Sequence, residues 1–291
     1  MSKILVTGAD GFIGSYFVKE LDKELELLQP SINELNLYDA QSVKSFIERE
    51  KPEYLMHFAW NVSAGYQESS ENFDLVLASL NLLKYFAENG GKRAVFAGSC
   101  MEYDWSYGFL REDFTPLRPD TFYGKCKALL YQLASEYARK VNLSFACGRI
   151  FFLYGLGEKS GRLMPYLINC CKQNRTPDLK FPFLKRDYMH VKDVAAAFYA
   201  ILKSDYNGAV NIASGEAVAL CDIANKIAVL TGHEVLNYND YDKYLDNLNN
   251  LDNAPAPLVM GDNNILSNII KFRPKVSWDD GLGGMIKNYD D

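Results

Sequence analysis

The sequence predicts an α/β fold: a Rossmann-type doubly wound parallel sheet with a smaller C-terminal substrate-binding lobe. Three observations carry this. Short apolar runs alternate with helix-patterned segments across residues 1-150, the signature of parallel strands joined by crossover helices. A glycine-rich turn, Thr7-Gly-Ala-Asp-Gly-Phe-Ile-Gly14, follows the first apolar run and precedes the first helical pattern. After Phe151 the alternation weakens, and loops lengthen around Gly155-Leu-Gly157, Ser160-Gly161, Pro177 and Pro182.

The elements follow in order. Lys3–Val6 reads as a buried strand, and Phe12–Leu21 has the apolar spacing of a helix laid on a sheet. Glu26–Leu28 reads as a second strand and Leu35–Leu37 as a short third. Asp39 is a side-chain cap for a helix over Ala40–Glu50, with Pro52 close behind it. Tyr54–Ala59 is the next strand. A long amphipathic helix over Phe73–Ala87 stops at Asn89-Gly90-Gly91. Ala94–Ala97 is a strand that delivers Ser99 to its carboxyl end, followed by a helix over Phe122–Lys140 and a strand over Ser144–Arg149.

Further on, Met189–Leu202 resumes a helical pattern. Val210–Ala213 reads as a strand, Ala219–Leu230 as a helix, and Tyr238–Pro257 as a polar surface excursion rich in Asn and Asp. The expected division is a dinucleotide-binding unit over 1-150, to which 187-210 returns, and a lobe from 151-186 and 211-291.

Composition is that of an ordinary soluble globular protein. It has 291 residues, 48% of them hydrophobic and 23% charged, enough to bury a large core. A net charge of −6 argues against a nucleic-acid partner, which usually demands a basic surplus. No apolar run reaches the length of a membrane span, and the start Met-Ser-Lys-Ile-Leu-Val-Thr-Gly lacks a secretory pattern. A cytoplasmic protein without a membrane partner is expected. The six cysteines, Cys100, Cys126, Cys147, Cys170, Cys171 and Cys221, form no Cys-x-x-Cys or other metal-ligand spacing. Reduced, packed thiols and no metal site are expected.

The glycine-rich turn is the first chemical signal. In such a turn Gly8 permits the tight bend, Gly11 lets the backbone approach a pyrophosphate, and Gly14 lets helix pack on sheet. Phosphates then meet free N–H groups at a helix start. The second signal is Tyr123-Gly-Lys-Cys-Lys127, whose spacing puts Tyr123 and Lys127 on one helix face. A free tyrosine, with a pKa of about 10, is a poor catalyst at neutral pH. A neighbouring ammonium and the positive ring of an oxidised nicotinamide favour the phenolate and are expected to lower that value. Tyr123 then exchanges a proton with a substrate oxygen while hydride moves at the adjacent carbon, and Ser99 orients the same oxygen.

At this point the chain resembles the extended short-chain dehydrogenase/reductase family, of NAD-dependent epimerase/dehydratase type, and within it the nucleotide-sugar enzymes. The resemblance spans nearly the whole chain. It rests on Thr7–Gly14, His57-Phe-Ala-Trp60, Gly98-Ser99 before Tyr103, Tyr123 with Lys127, Arg149 leading to Tyr154-Gly155, Arg186-Asp-Tyr-Met-His-Val191 with Asp193, and Phe272-Arg-Pro-Lys275. It implies that Ser99, Tyr123 and Lys127 are catalytic, and that Lys127 also bonds the nicotinamide ribose. It implies a cofactor surface of Gly8, Asp10, Gly11, Phe12, Ile13, Gly14, Asn36, Leu37, Phe58, Ala59 and Trp60. It places Cys100, Met101, Lys159, Arg162 and Arg186 on the side of a nucleotide-diphosphate sugar substrate, with arginines suited to phosphate. Trp105 and Tyr107 fall in the loop over the site, as sugar-pocket or packing residues. His57 is as well explained by packing as by catalysis, and His190 and Asp193 read as structural groups at the lobe junction. The resemblance also implies a homodimer paired through helices Phe73–Ala87 and Phe122–Lys140, although their apolar stripe is equally explained as intramolecular core.

Departures from the family pattern narrow the reaction. Related sugar 4,6-dehydratases carry Asp-Glu directly after the active-site Ser/Thr, and here Cys100-Met101 stand there. Enzymes resembling GDP-fucose synthase use a Cys two residues before the Tyr of this loop, where Met101 stands here. They also use a later His, near which Arg162-Leu163 stand. The minimal Ser-Tyr-Lys set remains. It fits reduction of a 4-keto-6-deoxy nucleotide sugar in deoxysugar biosynthesis, or alternatively a 4-epimerase with tightly held NAD. A non-catalytic, redox-sensing protein on the same fold has no need to keep Tyr123 and Lys127 together. The second strand ends in Gln29-Pro30-Ser31, with no acid to select the ribose 2′-OH. NADP(H) is therefore expected ahead of NAD(H).

Overall fold

The computed structural model describes residues 1–235, 238 and 254–288. The first half runs β1 (Ser2–Thr7), α1 (Gly14–Glu20), β2 (Leu25–Leu28), α2 (Ala40–Glu50), β3 (Tyr54–His57), α3 (Glu71–Glu88) and β4 (Arg93–Ser99). A short β5 (Phe109–Leu110) precedes α4 (Phe122–Lys140), β6 (Ser144–Ile150), β7 (Phe152–Tyr154) and α5 (Leu163–Lys172). Then come β8 (Lys185–His190), α6 (Val191–Lys203), β9 (Gly208–Ile212), β10 (Ala217–Ala219), α7 (Leu220–Leu230), β11 (Leu258–Gly261) and α8 (Trp278–Lys287).

Six strands form a central sheet in the order β2-β1-β3-β4-β6-β9, every pair parallel. Ile4, Leu5 and Val6 in β1 are essentially fully buried, as expected of a strand covered on both faces. On one face α1 and α6 pack through Phe17, Val194, Phe198 and Ile201. On the other, α2, α3 and α4 pack through Val43, Ile47, Leu82, Phe86, Leu130 and Ala134. The chain leaves β1 toward β2 and returns to β3 on the opposite side. That reversal opens a crevice at the carboxyl ends of β1 and β3. The register sets Thr7, His57 and Phe96 level with one another there.

A second, mixed sheet runs β10-β8-β11-β5, with β7 alongside β8. Its helices α5, α7 and α8 share a separate apolar cluster around Met164, Leu167, Ile223, Ile227 and Leu282. β8 belongs to this second sheet, while α6 and β9 return to the first. Among the described residues, no helix is long and apolar enough to cross a membrane.

Most expected elements form. Asp39 caps α2 by accepting from the Gln41 amide at 2.9 Å, and α3 ends at Asn89 with Gly90 in a left-handed conformation. Four expectations need correction. Leu35–Leu37 forms no strand but links two turns, because side chains satisfy the backbone locally: Ser31 donates its amide to Glu34 Oε2 at 2.8 Å, and Asn36 Oδ1 accepts from the Tyr38 amide at 3.1 Å. The expected Tyr54–Ala59 strand ends at His57. The helix expected from Met189 begins at Val191, because His190 finishes β8 and its Nδ1 accepts from the Lys192 amide at 3.2 Å. The expected helix from Phe12 begins at Gly14. The Tyr238–Pro257 excursion lies outside the described residues except for Tyr238 and 254–257.

Candidate active site

The glycine-rich turn is shaped by contacts that exclude side chains. Gly8 has φ +69°, and a Cβ there would lie 2.8 Å from the Ala59 amide nitrogen. A Cβ on Gly14 would fall 2.0 Å from the Gly8 carbonyl oxygen. The chain is thereby pressed onto β3, which leaves a cradle between the turn and the end of β2. A cavity of about 570 Å³ opens there, lined by Thr7, Gly8, Asp10, Gln29–Ser31, Glu34, Asn36, Leu37, Ala59 and Trp60. Its volume is within the range of small-molecule and cofactor sites.

The other residues expected on this surface divide. The Phe12 ring packs edge-on to Tyr16, with centroids 6.4 Å apart, and faces Gly157. Ile13 packs against the α1–α6 core. The Phe58 ring lies 5.2 Å from Phe17 and 4.9 Å from Phe198, in the core rather than in the cavity. Asn36 spends its side-chain oxygen on the local turn.

The reacting groups meet where β4 ends beside the start of α4. Thr121 caps α4 by accepting from the Gly124 amide at 3.1 Å. A Cβ on Gly124 would lie 2.3 Å from the Met101 carbonyl oxygen. Bare glycine therefore lets α4 close on the turn after Ser99, and Ser99, Tyr123 and Lys127 are all buried. Lys127 Nζ donates to the Ala97 carbonyl at 2.9 Å and stands 3.5 Å from the centre of the Trp60 ring. Trp60 is held in turn by its Nε1–H donating to Asn72 Oδ1 at 2.8 Å. Tyr123 packs edge-on to Trp60 and Tyr66, with centroids 6.1 and 5.0 Å away.

Burial pushes Lys127 down to about 8. It pushes the Tyr123 phenol above the usual range, opposed by a hydrogen bond with Ser99. The sequence expectation of a lowered phenol includes the charge of a bound nicotinamide; among the protein's own groups desolvation is the largest influence and acts the other way. His57 is a packed group: its two ring nitrogens pair with Thr7 Oγ1 at 2.6 Å and Ser79 Oγ at 2.8 Å. Burial and the Lys127 charge hold it neutral, at about 3.

On the side away from the glycine turn, the Arg162 guanidinium lies 5.6 Å over the Tyr66 ring that packs on Tyr123. The Arg186 guanidinium, itself buried, lies 5.8 Å from the Trp105 ring and 5.7 Å from the Phe152 ring. Met101 turns its sulfur to Tyr66 Oη and Gln67 Nε2, at 3.9 and 3.8 Å. Cys100 is buried with its thiol pushed up by desolvation, and its carbonyl accepts from Trp105 Nε1 at 2.8 Å. Lys159 and Tyr107 are exposed. His190 caps α6 and Asp193 accepts from the Val276 amide at 2.9 Å, both structural roles as expected.

Two carboxylates escaped the sequence reading. Glu34 lines the cofactor-sized cavity, bonded to the amide and hydroxyl of Ser31. Glu102 lies fully buried behind Ser99. Both stand three residues after a serine, the Ser-x-x-Glu signature of a capping box, which is the signal that marks them.

The family described as the NAD dependent epimerase/dehydratase family matches residues 4–213. The chain is 26% identical to the GDP-6-deoxy-D-talose 4-dehydrogenase of Aggregatibacter actinomycetemcomitans, covering 93% of each chain. It is 25% identical to the CDP-abequose synthase of Salmonella muenchen, over 76% of this chain and 78% of that one. Its fold resembles the Thermus thermophilus UDP-glucose 4-epimerase solved in complex with NAD, with a TM-score of 0.78, 21% identity and 99% of both chains covered.

Proposed function

Because this chain belongs to the NAD-dependent epimerase/dehydratase family, we propose that it reduces the C4 keto group of a nucleotide-linked 4-keto-6-deoxy sugar with NAD(P)H. The observation that carries this reading is a catalytic group reduced to Ser99, Tyr123 and Lys127, with buried Cys100 and a thioether, Met101, after the serine. Neither supplies the acid and base that elimination of water requires. Carbonyl reduction needs one proton donor, one orienting group and a cofactor.

Tyr123, kept protonated by burial, donates its phenolic proton to the C4 oxygen as that oxygen gains negative charge. The Ser99 hydroxyl donates to the same oxygen and holds it in line. Lys127 is held between the Ala97 carbonyl and the Trp60 face, and its charge stabilises the phenolate left behind. A nicotinamide cofactor, when bound, would supply the hydride that carbonyl reduction needs. Gly8, Asp10, Ala59 and Trp60 would hold its dinucleotide, in the cavity they line.

The lobe built on the second sheet with α5, α7 and α8 takes the sugar nucleotide; the expected bounds shift accordingly, since β8 belongs to that sheet and β9, through Ile212, to the first. Arg162 and Arg186 serve its diphosphate, a pairing suited to guanidinium geometry. Glu34 on the cavity wall repels a 2′-phosphate, which supports NADH over NADPH, against the sequence expectation. Phe73 and Leu77 of α3 and Leu129 and Leu133 of α4 are each about half exposed. That stripe supports a homodimer through these helices.

The test offers dTDP-, CDP-, GDP- and UDP-linked 4-keto-6-deoxyglucose in turn, with NADH and then NADPH. Cofactor oxidation dependent on one of these sugars supports the reading and names its base. No oxidation with any of them, together with interconversion of C4 epimers by protein carrying bound NAD, establishes the epimerase instead.

A further inference from the structure

Behind Ser99 lies a buried charge pair for which the proposed reaction has no direct use. The Ser99 amide donates to Glu102 Oε1 at 2.8 Å, and the Met101 amide donates to Ser99 Oγ at 3.2 Å. The second carboxylate oxygen, Oε2, accepts from Arg149 Nε at 2.7 Å, with side chains 1% and 0% exposed. The fit is close: a Cβ on Gly98 would lie 2.6 Å from Glu102 Oε1.

Arg149 reaches further in two directions. Its guanidinium lies 4.6 Å from the ring of Tyr131, one helical turn beyond Lys127 on α4. Its Nη1 donates to the Tyr103 hydroxyl at 2.9 Å, which donates to Asn211 Oδ1 at 2.7 Å. Asn211 Nδ2 then donates to the carbonyls of Leu110 and Asp262 at the edge of the second sheet, at 2.9 and 3.2 Å. One polar chain therefore joins the strand carrying Ser99, the helix carrying Tyr123 and Lys127, and the lobe.

A buried ion pair is a poor stabiliser compared with apolar side chains of the same volume. What it supplies is direction, since both carboxylate oxygens are committed. We infer that Glu102, anchored by Arg149, is a positioning residue that holds the Ser99 hydroxyl in line with the Tyr123 phenol. The inference rests on Ser99 acting on the substrate oxygen.

A double-mutant cycle tests it, using the 4-keto-6-deoxyglucose nucleotide that the wild type turns over fastest. Ser99→Ala should lower kcat about a hundredfold, the loss typical of one preorganised donor. Glu102→Gln should lower kcat about tenfold, with KM and the fluorescence-measured affinity for NADH within about twofold of wild type. In the Ser99→Ala background Glu102→Gln should cost nothing further, because the hydroxyl it positions is gone. An equal tenfold loss in that background overturns the inference and leaves Glu102 a structural residue. A wild-type kcat for Ser99→Ala instead removes the role of Ser99, and the inference with it. If Glu102→Gln does not fold, Glu102→Leu combined with Arg149→Met keeps the core filled, and the same cycle applies. A wild-type kcat for that pair overturns the inference.

Discussion

The Lys127 ammonium stands 3.5 Å from the centre of the Trp60 ring, while its remaining reach goes to the Ala97 carbonyl at 2.9 Å. Among the described residues no carboxylate pairs directly with this buried lysine, so a π-face and one carbonyl are its contacts, with Glu102 favouring its charge from further off. Such a desolvated cation–π contact is worth about 2 kcal/mol. Burial still brings Lys127 down to about 8, so its charge is lost as pH rises through that value. NADH affinity and kcat/KM should therefore fall on the alkaline side of about pH 8. Trp60→Leu should weaken NADH binding at pH 8 about tenfold and move the fall to lower pH. Titrating NADH fluorescence against pH for both proteins checks this, and an unmoved alkaline limb in Trp60→Leu argues against it.

Tyr123→Phe removes the only proton that the proposed reaction takes from the protein. Turnover should drop by about 10²–10⁴, with NADH binding unchanged because the ring still packs on Trp60 and Tyr66. Steady-state kinetics alongside a binding isotherm separate the two effects. A variant with wild-type kcat means that the proton comes from elsewhere.

Much of this arrangement was legible in the sequence. The bounds expected for α4, Phe122–Lys140, are those observed; the Tyr123–Lys127 spacing marks its face, and the cap at Thr121 is visible only in the structure. α2 follows its cap at Asp39 as expected. Leu35–Leu37 misled because apolar residues at alternating positions suggest a strand, whereas Ser31, Glu34 and Asn36 satisfy the backbone with their own side chains. The Glu102–Arg149 pair was illegible for another reason. The two residues are 47 positions apart, and they meet only through the β4–β6 register that sets Gly98 beside Arg149. The direction of the Tyr123 shift likewise depends on burial, which spacing does not reveal.

His57 gives a stability prediction with a definite sign. Its folded value is about 3, against about 6.5 in an unfolded chain. Between those values the unfolded chain binds the extra proton. Stability therefore rises with pH across that window and is lost as pH falls from about 6.5 toward 3. From pH 7 to pH 5 this group alone should cost the wild type about 2 kcal/mol. His57→Gln should lack that part of the loss, so urea unfolding at the two pH values should bring the variant closer to wild type at pH 5. Equal losses in the two proteins contradict it.

Glu34 should decide the cofactor. Its carboxylate lines the cavity and bonds Ser31, so Glu34→Arg removes a repulsion and adds a partner for a 2′-phosphate. The ratio of kcat/KM for NADPH over NADH should rise about a hundredfold, set by opposite changes in the two affinities. A ratio that stays constant means that the 2′ position lies away from this wall.

The most direct measurement follows deuterium from NADH labelled at the nicotinamide C4 into the sugar. The reductase account predicts product deuterated at the sugar C4, with one equivalent of oxidised cofactor released per molecule. Unlabelled sugars epimerised at C4, with no net cofactor consumed, would contradict it.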